Sequence, residues 1–169
     1  MHPVRTALYW KEKLNLDSHI EGGAFREVYR STLVIPNENL APWHKGDRSA
    51  STSIYFLLET GEFSAFHRIA SDELWHFYDG GTLAIYEIDA EGKLTKHLLG
   101  KNIETGESLQ VLIPAGSWFG SRVENTDSFV LCGCTVAPGF DFADFELAER
   151  AALLNQYPEH AAMIKQLTR

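Results

Sequence analysis

A chain of 169 residues, 44% apolar and 22% charged, is long enough to bury a core without disulfide or metal staples and too apolar to stay disordered. With 23 acidic residues against 15 basic ones, its formal charge of −8 argues against a protein that grips nucleic-acid phosphate or anionic lipid. The first residues, MHPVRTALYWKEK, lack the apolar core of a signal peptide. The longest clean apolar run, Ile54 to Leu58, is far too short to span a bilayer, so a soluble cytoplasmic protein is expected.

Thr6 can cap a short helix over Thr6 to Leu16, with Leu8, Trp10 and Leu14 as its apolar stripe. The Gly22-Gly23 pair reads as a sharp turn before a strand. Phe25 to Thr32 alternates, with Phe25, Glu27, Tyr29 and Ser31 on one face and Arg26, Val28, Arg30 and Thr32 on the other. Pro36 to Asp47 is a loop or insertion. Strand-like runs follow at Ser53 to Glu59, Phe63 to Ile69, Glu73 to Tyr78, Leu83 to Ile88, Leu94 to Leu99, Leu109 to Ile113 and Phe129 to Val136. Glycine-bearing turns separate them. Cys132 and Cys134, one residue apart in the last run, read as small buried residues in a reducing compartment. Beyond Pro138-Gly139 the period changes. Phe145, Ala148 and Ala152 predict a helix that stops near Tyr157-Pro158, its start suited by Asp141 or Asp144, and Glu159 to Leu167 reads as a last short helix. Seven or eight short strands at this spacing predict a mainly β fold, an antiparallel sandwich or barrel. The chain is expected to form one domain over 1–169, with a lead-in and helix at 1–19, a barrel at 20–139 and helices at 140–169.

The stretch from Gly61 to Gly80, GEFSAFHRIASDELWHFYDG, resembles the first motif of the cupin barrels. Gly61, His67, Glu73 and Gly80 match it, and Ile69 stands where the motif has its second His. Of the second motif, Pro114 and Gly116 match, and Phe119 stands at the His. EGGAFREVYRS (Glu21 to Ser31), STSIYFLL (Ser51 to Leu58), FHRIASDELWHFYDG, IPAGSWFGS and GCTVAPGFDFADFELA together resemble the DUF985, or cupin-5, proteins over nearly the whole chain. This resemblance implies a cupin-like antiparallel β-barrel (a double-stranded β-helix, or jelly roll) with a short N-terminal helix and C-terminal helices. Gly22 to Glu27 is also similar to a stretch of the nucleotide-sugar 3,5-epimerases. Gly23, Phe25 and Glu27 match it, and Gly22 stands where those enzymes carry a phosphate-binding Arg. That similarity implies nucleotide contacts from Phe25 and Glu27, and a general base at His67.

Read from the residues, His67 shares a strand face with Phe63, Ala65 and Ile69, and Glu73 shares one with Trp75 and Phe77. Inside a closed barrel such a His and Glu can meet, as metal ligands or as a base with its orienting carboxylate. The expected function is small-molecule binding with isomerase- or epimerase-like chemistry on a sugar or nucleotide-sugar. His67 is then the base, Glu73 its orienting group, and Tyr55 or Tyr29 the acid. Phe25, Glu27, Trp75, Phe77, Phe119 and Ser53 hold the ligand. No cofactor is expected; a divalent transition metal, if bound, would take His67, Glu73 and His76, although strict alternation turns His76 away from Glu73. The alternatives are a metal-dependent cupin enzyme, such as a dioxygenase or sugar-phosphate isomerase, and a non-catalytic ligand-binding or storage-like barrel. Aromatic residues on both strand faces, Phe63 and Trp75 on one and Phe66 and Tyr78 on the other, predict a homodimer, with no nucleic-acid or membrane partner.

Overall fold

A computed structural model describes residues 5–169. Helix α1 (Ala7–Leu14) starts at Thr6, whose Oγ1 accepts the Tyr9 N–H, and stops at Asn15 in the left-handed conformation. Thirteen strands follow among the described residues: β1 (Asp17–Ser18), β2 (Ala24–Arg30), β3 (Val34–Ile35), β4 (Arg48–Ser49), β5 (Thr52–Glu59), β6 (Phe63–Arg68), β7 (Asp72–Gly80), β8 (Leu83–Ile88), β9 (Leu94–Leu99), β10 (Gln110–Ile113), β11 (Trp118–Val123), β12 (Phe129–Ala137) and β13 (Glu146–Leu147). Helices α2 (Arg150–Gln156) and α3 (Ala161–Gln166) complete the fold.

The strands form a six-stranded sheet, β1-β2-β5-β12-β7-β10, a five-stranded sheet, β13-β6-β11-β8-β9, and the small pair β3-β4. Every ladder within these sheets is antiparallel, and sequence-distant strands lie side by side, as in a jelly roll. The main core lies between the two large sheets. Phe56, Trp75 and Cys132 from one meet Ile85, Leu83 and Phe119 from the other. Burial of each large side chain there contributes roughly 1.5–3 kcal/mol. The outer face of the five-stranded sheet is covered by α2 and α3, with Phe66, Tyr86 and Trp118 packed on Leu153, Ile164 and Leu167. Helix α1 covers part of the other sheet's outer face, over Leu57 and Leu131.

Three features depart from the sequence reading. Strand β11 lies in the middle of the five-stranded sheet, yet Trp118 to Val123 shows no clean alternation, because Gly120 interrupts it. A Cβ on Gly120 would lie 2.9 Å from the Ser64 carbonyl oxygen, so the position takes only the smallest residue. Second, the helix expected around Phe145 begins at Arg150, where Glu149 accepts from the Ala151 and Ala152 N–H groups. Asp141 caps a single 3-10 turn over Phe142–Asp144, and Glu146–Leu147 pairs with β6 instead of coiling. Third, β2 carries a bulge at Val28, so Tyr29 stands opposite Ser53 and Arg30 opposite Thr52. The bulge reverses the alternation for everything after Glu27.

Candidate functional site

Two backbone irregularities aim the central side chains. The turn at Gly22 and Gly23 has φ of +121° and +74°, and a Cβ on Gly22 would sit 2.0 Å from the Phe63 carbonyl oxygen. The turn lets the Glu21 carbonyl accept from the Ala65 N–H (2.8 Å) and from Arg169 (3.2 Å), which leaves the Glu21 side chain buried between the sheets. In β6 the pairing to β11 slips between His67↔Phe119 and Ser64↔Ser121. This bulge sends Phe63 out to join Phe66 under the C-terminal helices and turns His67 inward, so His67 and Phe63 do not share a face.

His67 and Glu21 line a cavity of 220 Å³ together with Glu73 and Cys134. The volume is below the roughly 300–1,000 Å³ of drug-sized sites, so the cavity suits a small ligand. Its walls are apolar, from Phe25, Ile54, Ile69 and Val136, and its rim carries Glu27, Arg30, Phe140, Asp141 and Phe142.

The polar floor is a linked charge system. His67 Nδ1 lies 2.8 Å from the Ala65 carbonyl oxygen and Nε2 lies 3.0 Å from Glu21 Oε2. Both ring nitrogens thus face oxygens that only accept, which favours a proton on each. Burial works against that charge, but Glu21, Glu73 and the Ala65 carbonyl outweigh it and raise the His67 pKa. Burial would likewise raise Glu21, yet the imidazolium beside it holds that carboxyl below its ordinary value. Glu73 has no such close cation. Burial pushes it up to about 7, opposed by His67 and reinforced by the negative Glu21, with the Cys134 thiol and the Trp75 indole beside it. Burial lowers His19, whose ring packs edge-on against Phe25 at 4.5 Å, and raises the Cys134 thiol.

The cavity brings together four of the residues expected from sequence: His67, Glu73, Phe25 and Glu27. Trp75 and Phe119 are core residues beside it rather than in its lining, the Phe119 ring tilted against His67 with centroids 4.1 Å apart, and Phe77 packs against the same core. Tyr55 and Ser53 are corrections. They alternate with the cavity-lining Thr52 and Ile54, so they point to the outer face of the six-stranded sheet. Tyr29 joins them there through the Val28 bulge, and is 54% exposed. The orienting partner of His67 is Glu21, not Glu73. Glu21, His19, Arg30 and Cys134 were not singled out from sequence as site residues. Glu21 sits in a turn, where alternation gives no facing, and Arg30 is brought in by a bulge that nothing in FREVYRS announces. The cysteine pair did carry a signal, since the strand that buries Cys132 also brings Cys134 onto its inward face.

A metal does not fit this set. Ile69 and Phe119 occupy two motif positions and offer no donor atom, and both His67 nitrogens are engaged. His76 alternates away from Glu73 on β7 and bonds Thr135 (3.1 Å) and Gln110 (3.1 Å) on the outer face. Among the described residues no three His, Cys, Asp or Glu side chains are grouped so as to hold an ion.

The model of the Cupin_5 family, described as Cupin superfamily (DUF985), matches residues 9–148. Protein SO0799 from Shewanella oneidensis is similar at 43% identity and TM-score 0.89, over 98% of this chain and 99% of that one. A hypothetical protein from Leishmania major is similar at 37% identity and TM-score 0.87, over 96% and 98%. A cupin 2 domain-containing protein from Halorhodospira halophila shares the fold alone, at 14% identity and TM-score 0.57, over 90% and 87%. No curated protein matches the sequence.

Proposed function

The chain belongs to the Cupin_5 family of the cupin superfamily, and from that premise we propose that its barrel binds a small molecule and moves a proton on it, as an isomerase or epimerase does. The observation that carries the reading is the divergence of two carboxyls in one cavity, Glu21 held low and Glu73 pushed up to about 7. Such a pair divides naturally into base and acid near neutral pH. The Glu21 carboxylate removes the proton from the carbon beside a substrate carbonyl, and Glu73 gives its proton to the carbonyl oxygen. The product of that step is an enediol, with Glu21 protonated and Glu73 ionised. Return of the Glu21 proton to carbon and of a hydroxyl proton to Glu73 completes the isomerisation with no co-reactant. His67, with both nitrogens engaged, acts as a buried cation that positions Glu21.

A nucleotide-sugar substrate finds little support. Arg30 is held by Glu27 through two bonds of 3.0 and 2.7 Å, Arg26 bonds the Leu14 carbonyl, and Arg68 pairs with Glu146 away from the cavity. An unphosphorylated sugar-like hydroxy-carbonyl compound suits the volume and the charges better. The test is deuterium incorporation from D2O into a panel of such aldoses and ketoses. Glu21→Gln and Glu73→Gln should each slow exchange about 100-fold or more. Exchange at the wild-type rate in Glu73→Gln would remove Glu73 from the acid role, and binding of such a compound with no exchange above the protein-free rate would favour the second reading, a barrel that binds without catalysis, which Ile69 and Phe119 in the motif positions also support.

Two further properties belong to the same proposal. The free thiols of Cys132 and Cys134 suit a reducing, cytoplasmic setting, and no helix among the described residues is long and apolar enough to cross a membrane. The apolar outer surface expected to need a partner is partly covered by the chain's own helices. On the outer face of the six-stranded sheet Tyr29, Tyr78 and Leu112 are each about half exposed, and a second copy of this chain is the proposed occupant of that face. Tyr78→Asp should then shift the sedimenting species from dimer to monomer.

A further inference from the structure

We infer that the rim of this cavity recognises an ammonium group, so that the ligand is a small cationic amino compound. The inference rests on the acid–base reading only for the fate of the ligand's other end. Exposure orders the lining by depth. His67, Glu21 and Glu73 are 3%, 6% and 8% exposed and form the floor, whereas Phe142 is 59% exposed and stands at the entrance.

The entrance is aromatic on one side. Phe140, Phe142 and Phe145 lie 5.0 to 6.2 Å apart, centroid to centroid, at 71° to 81° to one another. Crossed packing uses some ring faces among the three, and Phe145 also lies 5.4 Å from the His67 ring, so the exposed Phe142 is the ring whose electron-rich face an entering cation meets first. Asp141 lies within the same segment. One of its oxygens accepts the Ala143 N–H at 2.8 Å. Its charge is felt by Arg30 and Arg48, but both guanidiniums are bonded to other carboxylates, Glu27 and Asp144.

The charges of the lining point the same way. Four carboxyl side chains, Glu21, Glu27, Glu73 and Asp141, face two cations, Arg30 and His67. Each cation has its own carboxylate, His67 with Glu21 and Arg30 with Glu27. An anionic ligand would meet cations already neutralised and carboxylates that repel it. A neutral hydroxy-carbonyl compound meets no repulsion, but only one that also carries an ammonium group draws on the Asp141 charge, which no guanidinium among the described residues bonds directly. An alkylated ammonium meets both needs, with its charge near Asp141 and its methyl or methylene groups on the phenyl faces.

Calorimetric titration of the full chain with choline and with 3,3-dimethylbutan-1-ol tests this, since the alcohol has the same shape without the charge. Choline is expected to bind about tenfold tighter than the alcohol. Asp141→Asn, which keeps an acceptor for the Ala143 N–H, should weaken choline about tenfold and the alcohol far less, and Phe142→Ala should weaken choline by a similar factor. Equal or tighter binding of the alcohol, tighter binding of inorganic phosphate, absence of choline binding, or indifference of choline to Asp141→Asn would overturn the inference. Choline titration reads the rim and deuterium exchange reads the floor. Loss of the choline preference with exchange intact sinks this inference alone, and the converse result sinks the acid–base reading alone.

Discussion

Glu73 ionises above pH 4.5 in the unfolded chain but keeps its proton up to about pH 7 in the folded one. Across that window the folded state binds the extra proton, so stability falls as pH rises, by up to about 3 kcal/mol once pH exceeds 7. Glu73→Gln should therefore raise the melting temperature at pH 8 by several degrees and change it little at pH 4; a gap that stays constant with pH would contradict the shift. The Glu21–His67 pair has the opposite character. Glu21, held low, contributes above pH 4.5 and fails as pH drops through its folded value. His67, held high, contributes fully below pH 6.5 and fails as pH climbs through its own. Both contributions are complete between pH 4.5 and 6.5. His67→Ala leaves Glu21 buried without its cation and should cost about 3–5 kcal/mol in urea denaturation, partly restored by adding Glu21→Gln. His67 and Glu73 were legible in the sequence because each sits at a fixed spacing in a recognisable stretch. Their partner Glu21 was not, because a turn residue has no periodicity to declare its direction.

Among the elements, regular strands followed alternation and were readable almost to the residue, as at Leu83–Ile88 and Leu94–Leu99. The irregular ones were not, and they are the ones that build the cavity. Val28 and the Ala65-Phe66 pair are bulges, each an extra residue that exchanges the two faces of its strand. Deletion of Val28 removes the extra residue and should leave Tyr29 opposite Ser53 and Arg30 opposite Thr52, with the Arg30–Glu27 pair now formed along a regular strand; a Tyr29 that becomes buried, read by its fluorescence, would contradict this register. The Gly22 turn is less forgiving. Gly22→Ala must give up a positive φ and move a Cβ off the Phe63 carbonyl, so a loss of about 1–3 kcal/mol is expected, with a change in the pH dependence attributed above to Glu21. Unaltered stability in that variant would mean that the turn has another conformation open to it.

At the scale of the molecule, the aromatic rim is held from outside the barrel. Arg48, at the end of the 36–47 loop, donates to Asp144 through Nε and Nη2 at 2.6 Å each, and the Lys45 N–H donates to the same carboxylate at 3.0 Å. The stretch read from sequence as a loop or insertion is therefore a fastening for residues 140–145. Arg48→Ala should speed amide hydrogen exchange at Asp144 and Phe145, whose N–H groups bond Asp141 and Phe142, while leaving the β5–β12 ladder protected. The Glu21 turn has a more distant fastening, in Arg169, 148 residues further along the chain. A contact of that span is expected to follow the sheets that lie between its partners, even though the entropy of closing so long a loop grows only slowly with length. The two sheets can thus be complete while Glu21 is still unplaced between them. In pulse-labelled refolding, the Ala65 amide, which waits for the Glu21 carbonyl, should become protected after those of β8 and β11. Until that contact forms, His67 has its place in the sheet but the carboxylate that pairs with it has no fixed direction, so the charge balance between the sheets is settled by a residue that belongs to neither.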